Sequence, residues 1–201
     1  MPYYHELVTE KSWEELQNLR KLLPFILIGG WAAWLYTKTL KSKDIDIIVD
    51  FNQLETLAQH YRFVKNERLK KYEALKEEVQ IDIYLPHYSE LGIPVHVLRE
   101  HTEEVEGFTL LHADYLLALK IYVLSERART RKGEKDFIDC LALVQSGVSD
   151  LKETARHLKT YGLERTRQIF LDLLQEYREV PELDLNAHRL ARLKKKILSQ
   201  G

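Results

Sequence analysis

Residues 25–50, FILIGGWAAWLYTKTLKSKDIDIIVD, decide the fold of this chain. An apolar run ends at Gly29 and Gly30, and apolar residues at helical spacing follow, so the pattern predicts a strand, a tight turn and a helix. The segment DIDIIV then predicts a second strand. Because the side chains of a strand alternate between its two faces, Asp44 and Asp46 are expected to point to the same face.

Two carboxylates on one face of a strand repel each other and resist burial unless a positive group lies between them. A divalent cation meets this need, and Mg²⁺ often binds through one or two carboxylates together with the phosphates of a substrate. The two glycines fit phosphate chemistry as well, since residues without a Cβ let a phosphate approach the backbone at a helix N-terminus. Each motif alone is typical of an ordinary turn or a solvated strand, whereas their order and spacing together are more specific.

The order strand, Gly-Gly turn, one helix and Asp-x-Asp resembles the signature of the polymerase-β-type nucleotidyltransferase superfamily. Gly29, Gly30, Asp44 and Asp46 match that signature. Ser42, two residues before the first aspartate, agrees with a pattern common in the toxin-like, abortive-infection (type IV toxin) branch of the superfamily. The resemblance implies ATP or another NTP as substrate, two Mg²⁺ ions held by the aspartates, and phosphates bound by the glycines and Ser42.

The composition describes an ordinary globular protein. Of the 201 residues, 30% are charged and 45% hydrophobic, and the formal net charge of −1 does not exclude an RNA partner, because an acidic site and a basic groove can cancel. The single cysteine, Cys140, permits no internal disulfide, and no Cys/His cluster indicates a zinc site. Without a signal-peptide pattern or an apolar run of membrane-spanning length, we expect a cytoplasmic protein and no membrane partner.

The remaining patterns predict an α+β fold, in which a small mixed β-sheet nucleotidyltransferase core with flanking helices precedes an all-helical C-terminal domain. Ser12 and Glu15 form a capping box that predicts a helix ending at Pro24. Further elements are a helix from about residue 52 with Leu54, Leu57, Ala58 and Tyr61 facing inward, strands at about 69–77 and 79–86, a short strand at 93–98 and a connection at 103–107. The predicted domains are 1–105, the catalytic domain, and 106–201, the helical domain.

The C-terminal helices have their own sequence signals. Ser149 or Asp150 is predicted to cap one helix, and Asn186 is predicted to open the last one. Between them, residues 163–180 predict a long amphipathic helix whose apolar stripe consists of Ile169, Phe170, Leu173, Leu174 and Tyr177.

Asp82 is the third candidate carboxylate. In VQIDIYLP it shares the polar face of an alternating strand with Gln80 and Tyr84, which by itself is typical of an amphipathic strand. Next to a matching Gly-Gly and Asp-x-Asp, however, the functional interpretation is favoured, because two-metal phosphoryl transfer uses a carboxylate on a neighbouring strand as metal ligand and base. The superfamily that the chain resembles carries its third aspartate in such an apolar-Asp-apolar setting. We therefore expect Asp44, Asp46 and Asp82 to be catalytic and to bind the metal.

The helical part carries further candidates. Lys120 lies beside the apolar stripe of its predicted helix, where a lysine often only extends to solvent. The toxin-like branch has a lysine on the first helix after the sheet, thought to contact nucleotide phosphates, and a Lys-Asp pair on the next helix, which Lys135 and Asp136 match here. Between these helices runs the basic segment ARTRKGEK, in which Arg127 and Arg129 are the best placed to neutralise phosphates. Lys120, Arg127 and Asp136 are accordingly predicted to bind the nucleotide.

The pattern most resembles toxin nucleotidyltransferases of toxin–antitoxin systems. That resemblance implies transfer of NMP from an NTP to the 3′ end of tRNA or another RNA, or to a protein side chain, with a cognate antitoxin as partner. Two alternatives stay open. One is a small-molecule nucleotidyltransferase of the antibiotic-modifying type, whose acceptor cleft would be acidic where one for RNA is basic. The other is a catalytically silent nucleotide-binding module.

Overall fold

The computed structural model describes the backbone of residues 2–199 and the side chains of residues 6–199, and the chain divides into two compact units. The first unit runs to Leu35 and continues over Lys41–Leu111. The second consists of Tyr36–Leu40 and the chain from His112 onward.

The first unit is built on a seven-stranded mixed sheet. Its strands are β1 (Ile26–Ile28), β2 (Ile45–Ile48), β3 (Arg62–Asn66), β4 (Lys71–Lys76), β5 (Val79–Tyr84), β8 (Thr102–Val105) and β9 (Phe108–Leu111). They lie in the order β3-β4-β5-β2-β1-β9-β8. The short strands β6 (Glu90–Leu91) and β7 (Ile93–Pro94) form a separate hairpin. In the sheet, β2 is antiparallel to β1 and parallel to β5, whereas β1 is parallel to β9.

The helices before residue 100 are α1 (Pro2–Leu22), α2 (Gly29–Thr37), α3 (Leu54–His60) and α4 (Val95–Leu98). Five further helices follow in the described chain: α5 (Ala113–Arg127), α6 (Arg131–Ser146), α7 (Leu151–Thr160), α8 (Glu164–Glu176) and α9 (Ala187–Ser199). Short 3₁₀ segments occur at Phe51–Gln53 and Pro181–Leu183. Among the helices of residues 2–199, none combines the length and the apolar character that a membrane crossing requires.

The two faces of the sheet differ in character because its central strands alternate. Ile45 and Ile47 of β2 and Ile81 and Ile83 of β5 have no exposed surface and form the core on one face. The alternate positions of β5 are half-buried and polar, as is Asp46 of β2. This arrangement confirms the predicted α+β fold, with a mixed sheet, flanking helices and helical structure from Ala113 onward.

The predicted start of the first helix is wrong, since α1 already begins at Pro2 and Ser12 lies inside it. The buried Ser12 hydroxyl accepts a hydrogen bond from the Trp31 indole N–H at 2.9 Å. Glu15 accepts one from the Tyr61 hydroxyl at 2.7 Å and pairs with Lys76. Both residues of the supposed capping box therefore serve long-range contacts within the first unit.

Three other expectations for the first unit are also wrong. The stretch 103–107 is not a connection but part of the β8–β9 hairpin, whose turn has Gly107 at a φ of 76°. The segment 93–98 gives only the two-residue strand β7 before α4, and Ala58 is exposed. The edge strand β3 was not predicted.

The predicted domain boundary at 105/106 falls inside the β8–β9 hairpin. The assignment of the two parts as catalytic and helical domains stays a prediction.

The helices of the second unit follow from their caps. Thr130 accepts a hydrogen bond from the Gly133 N–H at the start of α6, which ends at the left-handed Gly147. Asp150 caps α7 by accepting from two backbone N–H groups, as predicted. Asn186 accepts from the Arg189 N–H at the start of α9. Phe170, Leu173 and Leu174 of α8 are buried, whereas Ile169, expected on the same stripe, is exposed.

Candidate active site

The Gly-Gly corner joins β1 directly to α2, and its first glycine lies against an aspartate. Gly29 has a φ of 69°, a left-handed conformation that favours glycine. A Cβ at this position would overlap the carboxylate of Asp46. Both the backbone conformation and the position of Asp46 therefore require a residue without a side chain. Gly30 is buried in the first turn of α2.

The register of the sheet brings the second and third aspartates together. Asp46 lies opposite Ile28 on the antiparallel strand β1 and beside Asp82 on the parallel strand β5. Residues paired in this way project their side chains from the same face. Asp44 comes directly before β2 and two residues before Asp46, and Ser42 is buried just upstream. The structure thus brings Gly29, Asp46 and Asp82 to one place on the polar face of the sheet.

Both oxygens of Asp82 accept hydrogen bonds from neighbouring side chains. The Lys71 ammonium of β4 donates to Oδ2 at 2.5 Å, and the Gln80 amide donates to Oδ1 at 2.8 Å. Lys71 also lies 3.1 Å from Oε1 of Glu73, a residue that pairs with Asp82 across the β4–β5 ladder. This lysine is 7% exposed. The cluster therefore contains its own cation.

Burial alone would lower the pKa of Lys71, but hydrogen bonds and charge interactions with Asp82 and Glu73 outweigh it, so the pKa is raised. Lys71 was not among the residues that the sequence indicated. The sequence holds a signal for it, since a tight turn between β4 and β5 pairs Lys76 with Val79. In that antiparallel register, Glu73 lies opposite Asp82. Lys71, two residues before Glu73, must then share the same face.

The donor set fits a divalent cation in its chemistry. Asp44, Asp46 and Asp82 offer only carboxylate oxygens, the ligands that Mg²⁺ prefers, and the last two lie side by side on adjacent strands. Within residues 6–199, however, no group of three or more His, Cys, Asp or Glu side chains converges as a cage. The side chain of Asp82 is instead hydrogen-bonded to Lys71 and Gln80, and the Lys71 ammonium already supplies a positive charge at this carboxylate.

The predicted nucleotide-binding residues of the helical part form a second cluster, inside the second unit. The Lys120 ammonium lies 3.1 Å from Asp136 Oδ1 and 2.7 Å from Asp139 Oδ2. The other oxygen of Asp136 accepts from the Arg127 guanidinium at 2.6 Å, and Lys135 lies 3.1 Å from Asp139. Lys120, Arg127 and Asp136 are therefore brought together as one ion-pair network across α5 and α6.

This helical cluster is much drier than the one on the sheet. The side chains of Asp136 and Asp139 are 4% and 1% exposed, and Asp139 Oδ1 has no hydrogen-bond partner. Burial also raises the pKa of the neighbouring Cys140 thiol well above its ordinary value. Arg129, the other predicted phosphate ligand, is separate from the network and pairs with Glu176 at the surface.

Comparison with known proteins identifies a family. The sequence model described as "Nucleotidyl transferase AbiEii toxin, Type IV TA system" matches residues 47–200. The match includes Asp82 and the whole helical cluster and begins directly after Asp46. No curated protein matches the chain.

Several solved structures resemble this chain in fold at low sequence identity. The antibiotic-resistance factor ANT(2'')-Ia is 15% identical with a TM-score of 0.51, over 84% of this chain and 99% of that one. JHP933 from Helicobacter pylori is 15% identical with a TM-score of 0.49, over 96% and 94%. The Megavirus polyadenylate synthase is 16% identical with a TM-score of 0.46, over 73% of this chain, which spans about a third (32%) of that enzyme.

Proposed function

Since the chain belongs to the AbiEii family of type IV nucleotidyltransferase toxins, we propose that it transfers the nucleoside monophosphate of an NTP to an acceptor hydroxyl and releases pyrophosphate. The observation that carries this proposal is the packing of Gly29 on Asp46, with Asp82 beside Asp46 on the next strand. A glycine corner and adjacent carboxylates on one sheet face are what nucleotidyl transfer needs for the phosphates and for charge neutralisation.

Asp44, Asp46 and Asp82 are the proposed ligands of Mg²⁺. When bound, the metal would neutralise phosphate charge and lower the pKa of the acceptor hydroxyl. Asp82 accepts the proton of the acceptor hydroxyl, and the hydroxyl oxygen forms a bond to the α-phosphorus. The bond from the α-phosphorus to the bridging oxygen breaks, and pyrophosphate takes the electron pair. The backbone at Gly29 and Gly30, with Ser42 just upstream of the aspartates, is proposed to bind the triphosphate.

Lys120, Arg127 and Asp136 remain proposed residues of the nucleotide site. Two observations support this role. The three residues lie in the part of the chain that the family model matches, and their network has excess positive charge, with three cations around two carboxylates. Arg127 has the best access, because its side chain is 38% exposed, whereas that of Lys120 is 8% exposed. We therefore assign Arg127 to direct phosphate contact, while Lys120 and Asp136 hold the network that positions it.

The acceptor that we propose is an RNA 3′ end, with tRNA as the first candidate, and the proposed protein partner is a cognate antitoxin. The support is the toxin family to which the chain belongs. A protein side chain and a small hydroxylated molecule are the other acceptors to test. The similarity to ANT(2'')-Ia, at 15% identity, concerns the fold alone.

The test incubates the purified protein with each α-labelled NTP, Mg²⁺ and total RNA, next to a reaction without RNA. Two variants accompany it: Asp46→Asn, and the matched control Asp172→Asn, which changes an exposed aspartate of α8. We expect label on RNA with the wild type and with Asp172→Asn, and none with Asp46→Asn.

Other outcomes separate the alternatives. Label on the protein itself would show that the acceptor is a protein side chain and not RNA, with the same nucleotidyl-transfer chemistry. Pyrophosphate release only with an added aminoglycoside or another small alcohol would favour the small-molecule enzyme. Nucleotide binding without transfer to any of these acceptors would contradict the proposed activity and favour a silent nucleotide-binding module.

A further inference from the structure

Lys71 occupies a position at Asp82 for which the proposed reaction has no assigned role. Its ammonium lies 2.5 Å from Asp82 Oδ2 and 3.1 Å from Glu73 Oε1, and its side chain is 9% exposed. We infer that Lys71 is the resident counter-ion of Asp82 and competes with a divalent cation for this carboxylate. The inference rests on the proposed function, because it takes Asp82 as a metal ligand.

Lys71 is held tightly in its position. A nearly buried ammonium is costly unless it is paired and hydrogen-bonded, and Lys71 has two carboxylate partners. Asp82, with a side chain 13% exposed, depends on the lysine in return. Each of these two residues therefore stabilises the other in the nucleotide-free protein.

A metal on Asp82 would meet the positive charge of Lys71 at short range. Gln80 donates to Oδ1 of Asp82 and the Lys71 ammonium donates to Oδ2 at 2.5 Å. Each oxygen keeps a further lone pair for a metal, but the ammonium repels a divalent cation on the same carboxylate, so the two cations compete for Asp82. The ammonium is the stronger competitor, because a charged donor forms a stronger hydrogen bond to a carboxylate than an amide does.

Glu73 gives the displaced lysine a second partner. The Asn66 amide donates to Oε1 of Glu73 at 3.0 Å and fixes this carboxylate beside Lys71. When Asp82 turns to another cation, Lys71 keeps its pairing with Glu73 and is not left as a bare ammonium. Glu73 thereby lowers the free energy that metal binding must supply to release Asp82.

The experiment measures binding of Mn²⁺, used as the probe for a divalent cation, to the nucleotide-free protein by isothermal titration calorimetry. Lys71→Met removes the charge and keeps an apolar side chain of similar length. Lys71→Arg keeps the charge. Lys70→Met is the matched control, since the neighbouring Lys70 lies over the Tyr88 ring instead.

We expect Lys71→Met to bind Mn²⁺ at least about tenfold more tightly than the wild type. The reason is that one charge interaction at short range changes an affinity by more than about a factor of ten. Lys71→Arg and Lys70→Met should stay close to the wild type. The gain should vanish in an Asp82→Asn background. Equal or weaker binding by Lys71→Met, or no binding by either protein, would overturn the inference.

A second variant keeps the test decisive if Lys71→Met does not fold. Glu73→Gln removes the alternative partner of Lys71, so the lysine should hold Asp82 more firmly and Mn²⁺ should bind more weakly than to the wild type. Unchanged or tighter binding would contradict the competition. A protein that shows these shifts without nucleotidyl transfer would overturn the proposed function alone, whereas transfer without the shifts would overturn only this inference.

Discussion

The sheet and the helical unit each hold a lysine between two carboxylates, but the two clusters differ in burial and in the sign of their charge. On the sheet, Lys71 lies between Asp82 and Glu73, and the side chains of these two carboxylates are 13% and 30% exposed. In the helical unit, three cations surround Asp136 and Asp139, whose side chains are at most 4% exposed.

A lysine paired with carboxylates therefore has a different role in each cluster. A cluster with excess carboxylate that keeps some exposure attracts further cations, which suits a site for a metal and a nucleotide. A dry cluster with excess positive charge holds its helices together and can offer only its exposed arginine to an anion. Substitutions at the helical cluster should therefore act first on stability, and substitutions of Asp46 on activity.

The largest effect is expected for Lys120→Met. It leaves two buried carboxylates without their shared cation, and we expect a loss of about 3–5 kcal/mol in the free energy of unfolding. The measurement is urea unfolding followed by circular dichroism. Lys195→Met, at an exposed position of α9, is the control and should stay within about 0.5 kcal/mol of the wild type. An unfolding free energy of Lys120→Met equal to that of the control would contradict the structural role of the network.

Gly29→Ala should have the next largest effect, since the new methyl group meets Asp46 and the φ of 69° is unfavourable for alanine. We expect a destabilisation of about 2–4 kcal/mol by the same unfolding measurement. Gly147→Ala separates the two causes, because Gly147 has a φ of 77° but no atom within 4 Å of an added Cβ. It should cost only about 1–2 kcal/mol. Equal costs would show that the contact with Asp46 is unimportant.

The smallest expected effect concerns Cys140. Burial raises the pKa of its thiol in the folded state above the ordinary value of 9.0, so the unfolded chain loses this proton first as pH rises. The contribution of the buried neutral thiol to the free energy of unfolding is fully present below pH 9 and is lost as the pH rises above it. Relative to Cys140→Ala, the wild type should lose about 1 kcal/mol of unfolding free energy between pH 9 and pH 10. Parallel pH curves of the two proteins would show that the helical cluster is open to water.

Much of this fold was predictable because local patterns set it. The alternation of VQIDIYLP gave β5, and caps such as Asp150 and Asn186 gave the helices of the second unit. The failures occurred where long-range contacts decide. Ser12 and Glu15 have the spacing of a helix cap, yet they bind Trp31 and Tyr61 from inside α1.

The β8–β9 hairpin was missed for a similar reason. Its first strand carries glutamates that are typical of a solvated connection, whereas its pairing with β9, and of β9 with β1, makes it a strand. The edge strand β3 likewise has exposed and charged residues that give no clear alternation of burial. Such segments become strands through their neighbours in the sheet, which a single sequence does not reveal.

The candidate site was predictable in its residue types and not in its pairings. The spacing in DIDIIV and VQIDIY indicated aspartates on the faces of strands, and the sheet register then paired Asp46 with Asp82. Lys71 was missed because its role depends on the pairing of β4 with β5. The involvement of all predicted site residues in catalysis or nucleotide binding stays a prediction.

The most direct test of the account is to measure nucleotidyl transfer and urea unfolding of Asp46→Asn on the same preparation. The account predicts that transfer falls about 100-fold or more, because a charged group that stabilises the transition state is lost. The unfolding free energy should stay within about 1 kcal/mol, since the new amide fills nearly the same space under Gly29. Near-normal transfer by a folded Asp46→Asn protein would contradict the assignment of this sheet face as the active site.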